Sequence, residues 1–409
     1  MLNGAETSVT RKFTGAFTQQ AALPAEAMQA AMSVLESGRL HRYNLLPGEV
    51  GEVAALESEY RAWQGSEYCL AVTSGGQAMQ IALRACGVQP GDVVLTNAFT
   101  LAPVPGAIAA VGARAALVEI TDELRLDLDD LEQKICKTQA RFLLLSHMRG
   151  HLCDMEALMH QCDKAGVTVI EDCAHTMGAR WNGRRSGNFG KAACFSTQTY
   201  KHMNSGEGGL VTTDDPAIIA RSTILSGSYM LYERHGAGPE PEDFDDVRYQ
   251  MPNCSARMDA LRAAILRPQL AEIDQSIDAW NALYAVTNRG LAASNWIRTI
   301  ARPAAETLVG SSIQFRLPGF DSAQCRSVLA AASLRGVELK WFGGAEPVGF
   351  TSAHQSWRYM ESQPMPRTDK VLATLFDMRL PLTFSEADCA FIAELICEAV
   401  DEVASQSAN

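Results

Sequence analysis

The sequence predicts an α/β fold, in which a mostly parallel sheet carries helices on both faces and a smaller α+β domain follows. The chain has 409 residues, which is too many for one small core and enough for two domains. Short apolar runs alternate with segments of helical periodicity over the first half, as in successive βαβ units. These runs are nearly continuously apolar, as strands buried on both faces are. We expect a large domain over residues 1–270 and a small domain over 271–409.

The alternation of elements begins after two helices predicted near the N-terminus, over residues 24–38 and 52–63. The predicted strands of the large sheet are 68–73, 92–96, 115–120, 142–146, 167–170, 192–195 and 210–213. The predicted helices that follow are 77–86, 103–111, 129–137, 154–165, 215–225 and one long amphipathic helix over 253–290. The domain change is placed within that long helix. Beyond it, strands are expected over 312–316 and 337–341, and helices over 323–334 and 386–402.

Composition and charge exclude several classes of function. The net charge of −12 argues against a general binder of nucleic acids or anionic membranes. The N-terminus lacks the basic and apolar regions of a signal peptide, and no apolar run is long enough to span a membrane. The eleven cysteines show no Cys-x-x-Cys spacing. We therefore expect reduced thiols in a cytoplasmic protein, with neither a disulfide framework nor a metal site.

One lysine, Lys201, stands in a run of small and hydroxylic residues that glycines close. A lysine that is partly desolvated in such a pocket has a lowered pKa and serves as a nucleophilic amine, suited to a Schiff base with a carbonyl compound. Most lysines before glycines are solvated turn residues, so the residue alone is weak evidence. Asp172 strengthens it, because an acid at the carboxyl end of a buried strand faces the ligand crevice of such sheets. A lysine together with an Asp on the ring nitrogen is the pair that pyridoxal phosphate (PLP) requires.

A glycine pair, Gly75 and Gly76, joins the first predicted strand of the sheet to its helix. Free backbone N–H groups and the positive end of the helix dipole make such a junction an anion site. We assign the segment from Ser74 to Gln77 to the PLP phosphate. A tight turn that simply needs glycine explains the same stretch almost as well.

These segments together resemble the PLP-dependent aminotransferases of fold type I, in the DegT–StrS family of sugar aminotransferases. The resemblance runs from about Gly38 to the C-terminus, and the matching segments fall in the family's order. They are Ser74 to Ala78, Phe99 with Thr100, His147 with Gly150, Glu171 to His175, Phe195 and Ser196 with Lys201, and Gly206 to Gly209. The resemblance implies a seven-stranded sheet, PLP as the cofactor and a homodimer with a shared active site.

The resemblance also implies a role for individual residues. It gives Lys201, Asp172 and His175 as the catalytic set, with His175 beside the cofactor ring. The cofactor-binding residues that it implies are Gly75, Gly76, Gln77, Leu101, Asp172, His175, Ser196, Lys201 and Asn253. His147 is expected to face the same crevice. A satisfied core histidine and a buried serine bonded to the backbone are the structural alternatives for His175 and Ser196.

Two positions depart from the family's pattern. Leu101 stands where an aromatic ring is expected to stack on the cofactor, so either an aliphatic side chain replaces the stack or Phe99 takes the role. Ser255 stands where the family has the asparagine that reaches the phosphate of the partner subunit, and Asn253 lies two residues early. A structural ion pair is the alternative reading of the neighbouring Arg257.

By resemblance, the chain is an aminotransferase that moves an amino group from glutamate or glutamine to a keto sugar, usually nucleotide-linked, or to a cyclitol ketone through pyridoxamine phosphate. Lys201 would act as general base and acid. One alternative is a PLP-dependent sugar dehydratase, whose family members replace the lysine by histidine, whereas Lys201 is present. The other is a regulatory protein that binds PLP without turnover. We expect specificity to lie in residues 39–51, residues 226–251 and the partner subunit.

Overall fold

The computed structural model describes residues 11–406, and within that range it contains twelve α-helices and fourteen strands. The helices are Ala25–Ser37 (α1), Glu52–Gln64 (α2), Gly75–Ala85 (α3), Pro103–Ala110 (α4), Leu128–Thr138 (α5), Met155–Ala165 (α6), Pro216–Ser226 (α7), Ala260–Ala271 (α8), Ile273–Leu291 (α9), Ser322–Leu334 (α10), Pro366–Leu372 (α11) and Glu386–Gln406 (α12). The strands are Tyr68–Val72 (β1), Val93–Asn97 (β2), Arg114–Val118 (β3), Phe142–Ser146 (β4), Thr168–Asp172 (β5), Arg180–Trp181 (β6), Arg184–Arg185 (β7), Ala192–Ser196 (β8), Gly209–Thr213 (β9), Arg298–Thr299 (β10), Glu306–Thr307 (β11), Ser312–Arg316 (β12), Lys340–Trp341 (β13) and Leu375–Arg379 (β14).

Seven strands form the large sheet, in the order β1-β9-β8-β5-β4-β2-β3. Its inner neighbours pair in parallel, and β9 alone in this sheet runs against both of its partners. Every residue of β4 is buried, which explains why the sequence of this central strand is apolar almost throughout. The predicted α/β fold with a mostly parallel sheet is therefore confirmed. The parallel arrangement also brings the carboxyl ends of β2, β4, β5 and β8 to one edge of the sheet.

The single helix predicted over residues 253–290 is wrong. The chain from residue 252 to residue 259 is irregular, and Arg257 forms a bridge with Val72 beside the large sheet. Helix α8 begins after Asp259, whose carboxylate accepts the N–H of Arg262 at 2.9 Å as an N-cap. Glu272, with ψ of 1°, then separates α8 from α9. Amphipathic periodicity alone does not show this cap or this break, because the apolar spacing continues across both.

Apolar side chains form a core against the large sheet and a second core around a smaller antiparallel sheet. The smaller sheet has the order β10-β12-β14-β13, and helices α9, α10 and α12 contribute to its core. A further three-stranded sheet has the order β11-β6-β7. Phe13 and Phe17 pack in the second core against Phe384, with ring centroids 5.0 Å apart in both pairs. Helix α9 contributes to both cores, so the division of the chain near residue 270 stays a prediction.

Two findings bear on the class of protein. All eleven cysteines lie within the described range, and none of them forms a disulfide. No helix between residues 11 and 406 has both the length and the apolar character needed to cross a bilayer.

Candidate active site

A cavity of about 390 Å³ lies at the carboxyl edge of the large sheet. We call it the inner cavity. Its wall comes from the segments that follow β1, β2, β4, β5 and β8, and β4 and β5 pair so that Ser146 lies opposite Asp172. Site residues that line it are Ser74, Gly75, Gly76, Thr100, Leu101, Ser146, Asp172, His175, Ser196, Gln198 and Lys201. The fold thus brings together residues that are far apart in the sequence.

One end of the inner cavity is the N-terminus of α3. The Ser74 hydroxyl caps this helix by accepting the N–H of Gln77 at 3.1 Å, and the Gln77 side chain does not line the cavity. The first N–H groups of a helix have no acceptor within it, which makes those of Gly75 and Gly76 available to an anion. A Cβ at Gly75 would lie 2.9 Å from the Cβ of Ser196. Only glycine therefore lets the helix start approach Ser196 so closely, and the two sides form a cradle of the kind that a phosphate group fits.

The carboxylate of Asp172 lies at the end of β5, in the wall of the same cavity. Its Oδ2 accepts the Ser146 hydroxyl at 2.9 Å, and its Oδ1 accepts the N–H of Ala174 at 3.1 Å. Ser146 is itself positioned by the Thr100 hydroxyl, which donates to it at 2.8 Å. Burial raises the pKa of Asp172, and these two hydrogen bonds and the charge of Lys201 oppose that rise. The carboxylate is oriented by neutral donors, so a cationic group in the cavity would be its natural partner.

The amine of Lys201 lies 2.8 Å from Nε2 of His175. Desolvation and the positive charge of Arg149 lower the pKa of Lys201 to about 7, although Asp172 acts to raise it. Desolvation and the charge of Lys201 also hold the pKa of His175 well below its ordinary value. The imidazole is therefore neutral, and its Nε2 shares a hydrogen bond with the amine. Near neutral pH a large share of Lys201 is unprotonated and competent as a base or nucleophile.

Of the two residues that could cover the face of a cofactor ring, Leu101 lines the cavity. Phe99 is fully buried and packs edge-on against Phe342, with ring centroids 5.1 Å apart. The aliphatic side chain, and not the phenyl ring, is thus the one presented to the inner cavity.

His147 does not face the crevice as expected. Its Nε2 lies 3.0 Å from Oε2 of Glu171, and both residues are buried away from the cavity. The reason is the alternation of side chains along β5: Asp172 faces the cavity, so its neighbour Glu171 points to the opposite face. Glu171 also accepts the N–H groups of Gly187, Phe189 and Gly190. His147 and Glu171 therefore form part of the scaffold.

Asn253 lies outside the inner cavity of its own chain. Its Oδ1 accepts the N–H of Ser255 at 2.9 Å in the irregular segment before α8. The nearby Arg257 donates to the carbonyl of Gly227 at 2.6 Å and stands over the ring of Tyr229. A contact between Asn253 and the phosphate could come only from a second subunit, and it stays a prediction.

A second cavity, of about 330 Å³, adjoins the first and shares Leu101, His175, Gln198 and Lys201 with it. We call it the outer cavity. The segment that contains Phe17 and Gln20, helix α9 and the small sheet complete its wall. Two guanidinium groups, those of Arg149 and Arg379, also line it. Sequence reasoning did not find these arginines, nor Ser146 and Gln198. The position of Ser146 in the sequence does indicate a site residue, because it ends a buried strand as Asp172 does.

Several known proteins resemble this chain in sequence and in structure. A dTDP-3-amino-3,4,6-trideoxy-alpha-D-glucose transaminase of Streptomyces venezuelae is 34% identical over 274 residues, which are 66% of this chain and 66% of the relative. A 3-amino-5-hydroxybenzoate synthase of Amycolatopsis mediterranei is 32% identical over 243 residues, which are 59% of this chain and 60% of the relative. The aligned regions thus cover slightly less than two thirds of these relatives.

The similarity of the whole fold extends further. A crystal structure of S. venezuelae DesV in complex with a ketimine intermediate matches 92% of this chain and 95% of that chain, with a TM-score of 0.76 and 27% identity. The model of the DegT/DnrJ/EryC1/StrS aminotransferase family matches residues 22–396, which is most of the sequence. The chain therefore belongs to the DegT/DnrJ/EryC1/StrS aminotransferase family.

Proposed function

We propose that the protein is a PLP-dependent transaminase that takes an amino group from glutamate or glutamine. The acceptor is a keto sugar, usually a nucleotide-linked one, or a cyclitol ketone. The observation that carries the proposal is that the Lys201 amine, the Asp172 carboxylate and the glycine cradle of α3 line one cavity. The names of the two relatives, a transaminase that forms an amino sugar nucleotide and a synthase of an aminated ring, support the two acceptor classes.

The residues of the inner cavity fit PLP at three points. The cradle of Gly75, Gly76 and Ser196 would hold its phosphate, and Leu101 would lie against its ring. Asp172 would pair with the protonated ring nitrogen. The positive charge of that nitrogen would keep the buried carboxylate ionised. When bound, PLP supplies an electron sink for the charge that remains when a proton leaves the substrate carbon.

Lys201 has the position and protonation of a proton carrier. Its amine shares a hydrogen bond with Nε2 of the neutral His175 imidazole at 2.8 Å, which orients the amine within the cavity. With a pKa of about 7, it both accepts a proton from an acidic carbon and returns it at neutral pH. Lys201 also touches both cavities, so the same amine reaches the cofactor side and the substrate side of the site.

Substitution of Lys201 by alanine tests this proposal. We expect about 10³-fold lower turnover with glutamate and a ketone acceptor, because no other lysine between residues 11 and 406 lines either cavity. The readout is the visible absorption of the PLP-loaded protein before and after glutamate, together with the rate of amine transfer. Lys137→Ala, an exposed lysine on α5, is the matched control and should behave as the wild type.

Each other outcome identifies a different function. Full turnover in Lys201→Ala contradicts the transaminase mechanism. Loss of water from a sugar without transfer of nitrogen indicates the dehydratase. A wild-type protein that binds PLP and does not respond to glutamate or glutamine indicates the regulatory alternative.

We further propose that the protein is a homodimer in which the partner subunit contributes Asn253. Three apolar side chains on one face of α1, Met28, Met32 and Leu35, are 57%, 55% and 51% exposed. A contiguous apolar stripe of this kind marks a protein interface, and a second copy would bury it symmetrically. Sedimentation equilibrium measures this directly, with Met28→Glu/Met32→Glu expected to shift the protein towards monomer. A wild-type monomer with full turnover contradicts the proposal.

The cytoplasm is the compartment that we propose for the enzyme. The eleven unpaired thiols are stable in a reducing environment. Fractionation of the producing cells tests this, and recovery of the protein outside the cytoplasmic fraction contradicts it.

A further inference from the structure

Two hydroxyl groups in the wall of the inner cavity, those of Thr100 and Ser146, are bonded in one direction towards Asp172. An ionised carboxylate only accepts hydrogen bonds, so the hydroxyl of Ser146 donates its single hydrogen to Oδ2 of Asp172, at 2.9 Å. The hydroxyl of Thr100 lies 2.8 Å from the Ser146 oxygen and is therefore the donor of that second bond. We call these two bonds, from Thr100 through Ser146 to Asp172, the hydroxyl chain.

The large sheet holds the hydroxyl chain in place. Strands β4 and β5 pair so that Ser146 lies opposite Asp172. On the other side of β4, the paired residues of β2 end at Thr96, and the side chain of Asn97 extends the contact by one residue. This side chain accepts the N–H of Ser146 at 3.0 Å and donates to its C=O at 2.9 Å. The backbone of Ser146 is thus fixed from both sides, which fixes the place of its hydroxyl beside Asp172.

The hydroxyl chain stabilises the charged form of Asp172. Thr100, Ser146 and Asp172 are all buried, so little water competes for these bonds. Burial raises the pKa of Asp172, and the hydrogen bonds from the N–H of Ala174 and from Ser146 oppose that rise. A hydrogen bond to a charged group is stronger than one between neutral groups. In a medium of low dielectric constant each bond of a chain also strengthens the next, so Thr100 makes Ser146 a better donor.

We propose that Thr100 and Ser146 are positioning residues, which keep the proton shared by Asp172 and the cofactor on the ring nitrogen of PLP. This inference rests on the proposed function, because it requires PLP in the inner cavity. A carboxylate in a dry site takes up a proton unless donors stabilise its charge. The hydroxyl chain therefore favours the ion pair over the neutral pair, in which Asp172 would hold the proton. A positively charged ring nitrogen is what makes the ring an effective electron sink.

The cationic groups that act on Asp172 do not replace this effect. Lys201 and His147 both favour the charged carboxylate. Lys201 has a pKa of about 7, so at neutral pH a large share of its charge is absent. His147 shares its Nε2 with the carboxylate of Glu171. The hydroxyl groups of Thr100 and Ser146 carry no charge of their own, so their contribution is the same whether or not Lys201 is protonated.

The nitrogen-15 chemical shift of ring-labelled PLP bound to the protein tests the proposal, because this shift differs between a protonated and an unprotonated pyridine nitrogen. Ser146→Ala removes the bond to the charged carboxylate. It should change the distribution of the proton between nitrogen and carboxylate about 10- to 100-fold and move the resonance towards that of the unprotonated ring. Thr100→Val keeps the volume of the side chain and removes only the bond to Ser146. It should move the resonance in the same direction, by a change in the distribution of at most about fivefold.

Two further variants separate the hydroxyl from the packing of the side chain. Thr100→Ser loses the methyl group and keeps the hydroxyl, so it should give the wild-type resonance. Thr212→Val is the matched control: Thr212 is also fully buried, lies on β9 of the same sheet, and its hydroxyl has no partner between residues 11 and 406. It should leave the resonance unchanged.

An unchanged resonance in Ser146→Ala and Thr100→Val, or an equal change in Thr212→Val, would overturn the proposal. An unprotonated ring nitrogen in the wild type would also overturn it, while leaving the binding of PLP established. A wild type that binds no PLP would contradict the proposed function itself, so the two failures are distinguishable.

Discussion

Two clusters of charged side chains lie beside the large sheet, and their charges are compensated differently. In the first, Arg42 donates to both carboxylate oxygens of Glu57, at 2.9 Å each, and Nε2 of His235 lies 3.3 Å from the same carboxylate. The N–H of Ala71 also donates to Glu57, at 2.7 Å. All three charged or titratable side chains are buried. The first cluster is therefore closed, because its opposite charges meet within the protein.

In the second cluster, Lys201 bonds a neutral imidazole, and Asp172 accepts only a hydroxyl and an amide N–H. The amine and the carboxylate both line the inner cavity. Lys201 and Asp172 thus remain available to a ligand that brings its own charges. The presence of buried charges therefore does not distinguish a scaffold from a site, whereas the way in which they are compensated does.

Neutralising one carboxylate in each cluster should affect the stability of the protein very differently. We expect Glu57→Gln to lower the free energy of unfolding by about 3–5 kcal/mol, because it leaves Arg42 buried without its counter-charge. Asp172→Asn likewise replaces a carboxylate by an amide of nearly the same shape. It should lower the free energy of unfolding far less, since Asp172 has no such ion pair, but it should lower turnover. Urea unfolding of both variants and the rate of amine transfer measure the two effects. Equal losses of stability would show that the two clusters do not differ as described.

The first cluster, around Glu57, predicts how the stability of the protein responds to acid. Burial alone would raise the pKa of Glu57, yet Arg42 and His235 together lower it to about 2. A carboxylate with a depressed pKa stabilises the folded state at pH values above its unfolded pKa. That contribution is lost as the pH falls through the folded value. The difference in stability between the wild type and Glu57→Gln should therefore shrink as the pH approaches 2.

The inner cavity could be predicted from the sequence because each part of it follows a local pattern. Asp172 ends β5, Gly75 begins α3 and Lys201 lies in the loop after β8, and the parallel sheet brings these positions to one edge. The failures have physical causes. His147 was misplaced because the alternation along β5 turns Glu171, its partner, away from the cavity. The Asp259 cap is hidden within a continuous apolar periodicity.

The outer cavity could not be predicted in this way. Arg149 follows β4 of the large sheet, whereas Arg379 ends β14 of the small sheet. Their meeting depends on how the two sheets lie against each other, which no local pattern encodes. An isolated arginine in a sequence is ordinarily a surface residue. Only the structure shows that Arg149 is buried and that Arg379 lacks a carboxylate partner among the described residues.

The open cluster should also differ from the closed one in the reactivity of its cation, the Lys201 amine. Desolvation and the charge of Arg149 lower its pKa to about 7. Only an unprotonated amine is acylated, so in protein stripped of cofactor the rate of Lys201 labelling by acetic anhydride should rise about tenfold per pH unit below 7. Above that value it should level off. N-acetyl-lysine amide, with an ordinary pKa of about 10.4, is the reference and should keep rising through this range.

Peptide mass spectrometry after labelling between pH 5 and about 9 gives the rate for Lys201 alone. A profile that follows the reference compound would mean that the amine is charged and solvated at neutral pH. Lys201 would then be a charged group at neutral pH, like Arg42 in the closed cluster. It could not serve as a base. The substitution Arg149→Gln removes the cation that acts most strongly on Lys201. It should therefore raise the pH at which the labelling rate levels off. That shift would link the reactivity of the inner cavity to the charge of the outer one.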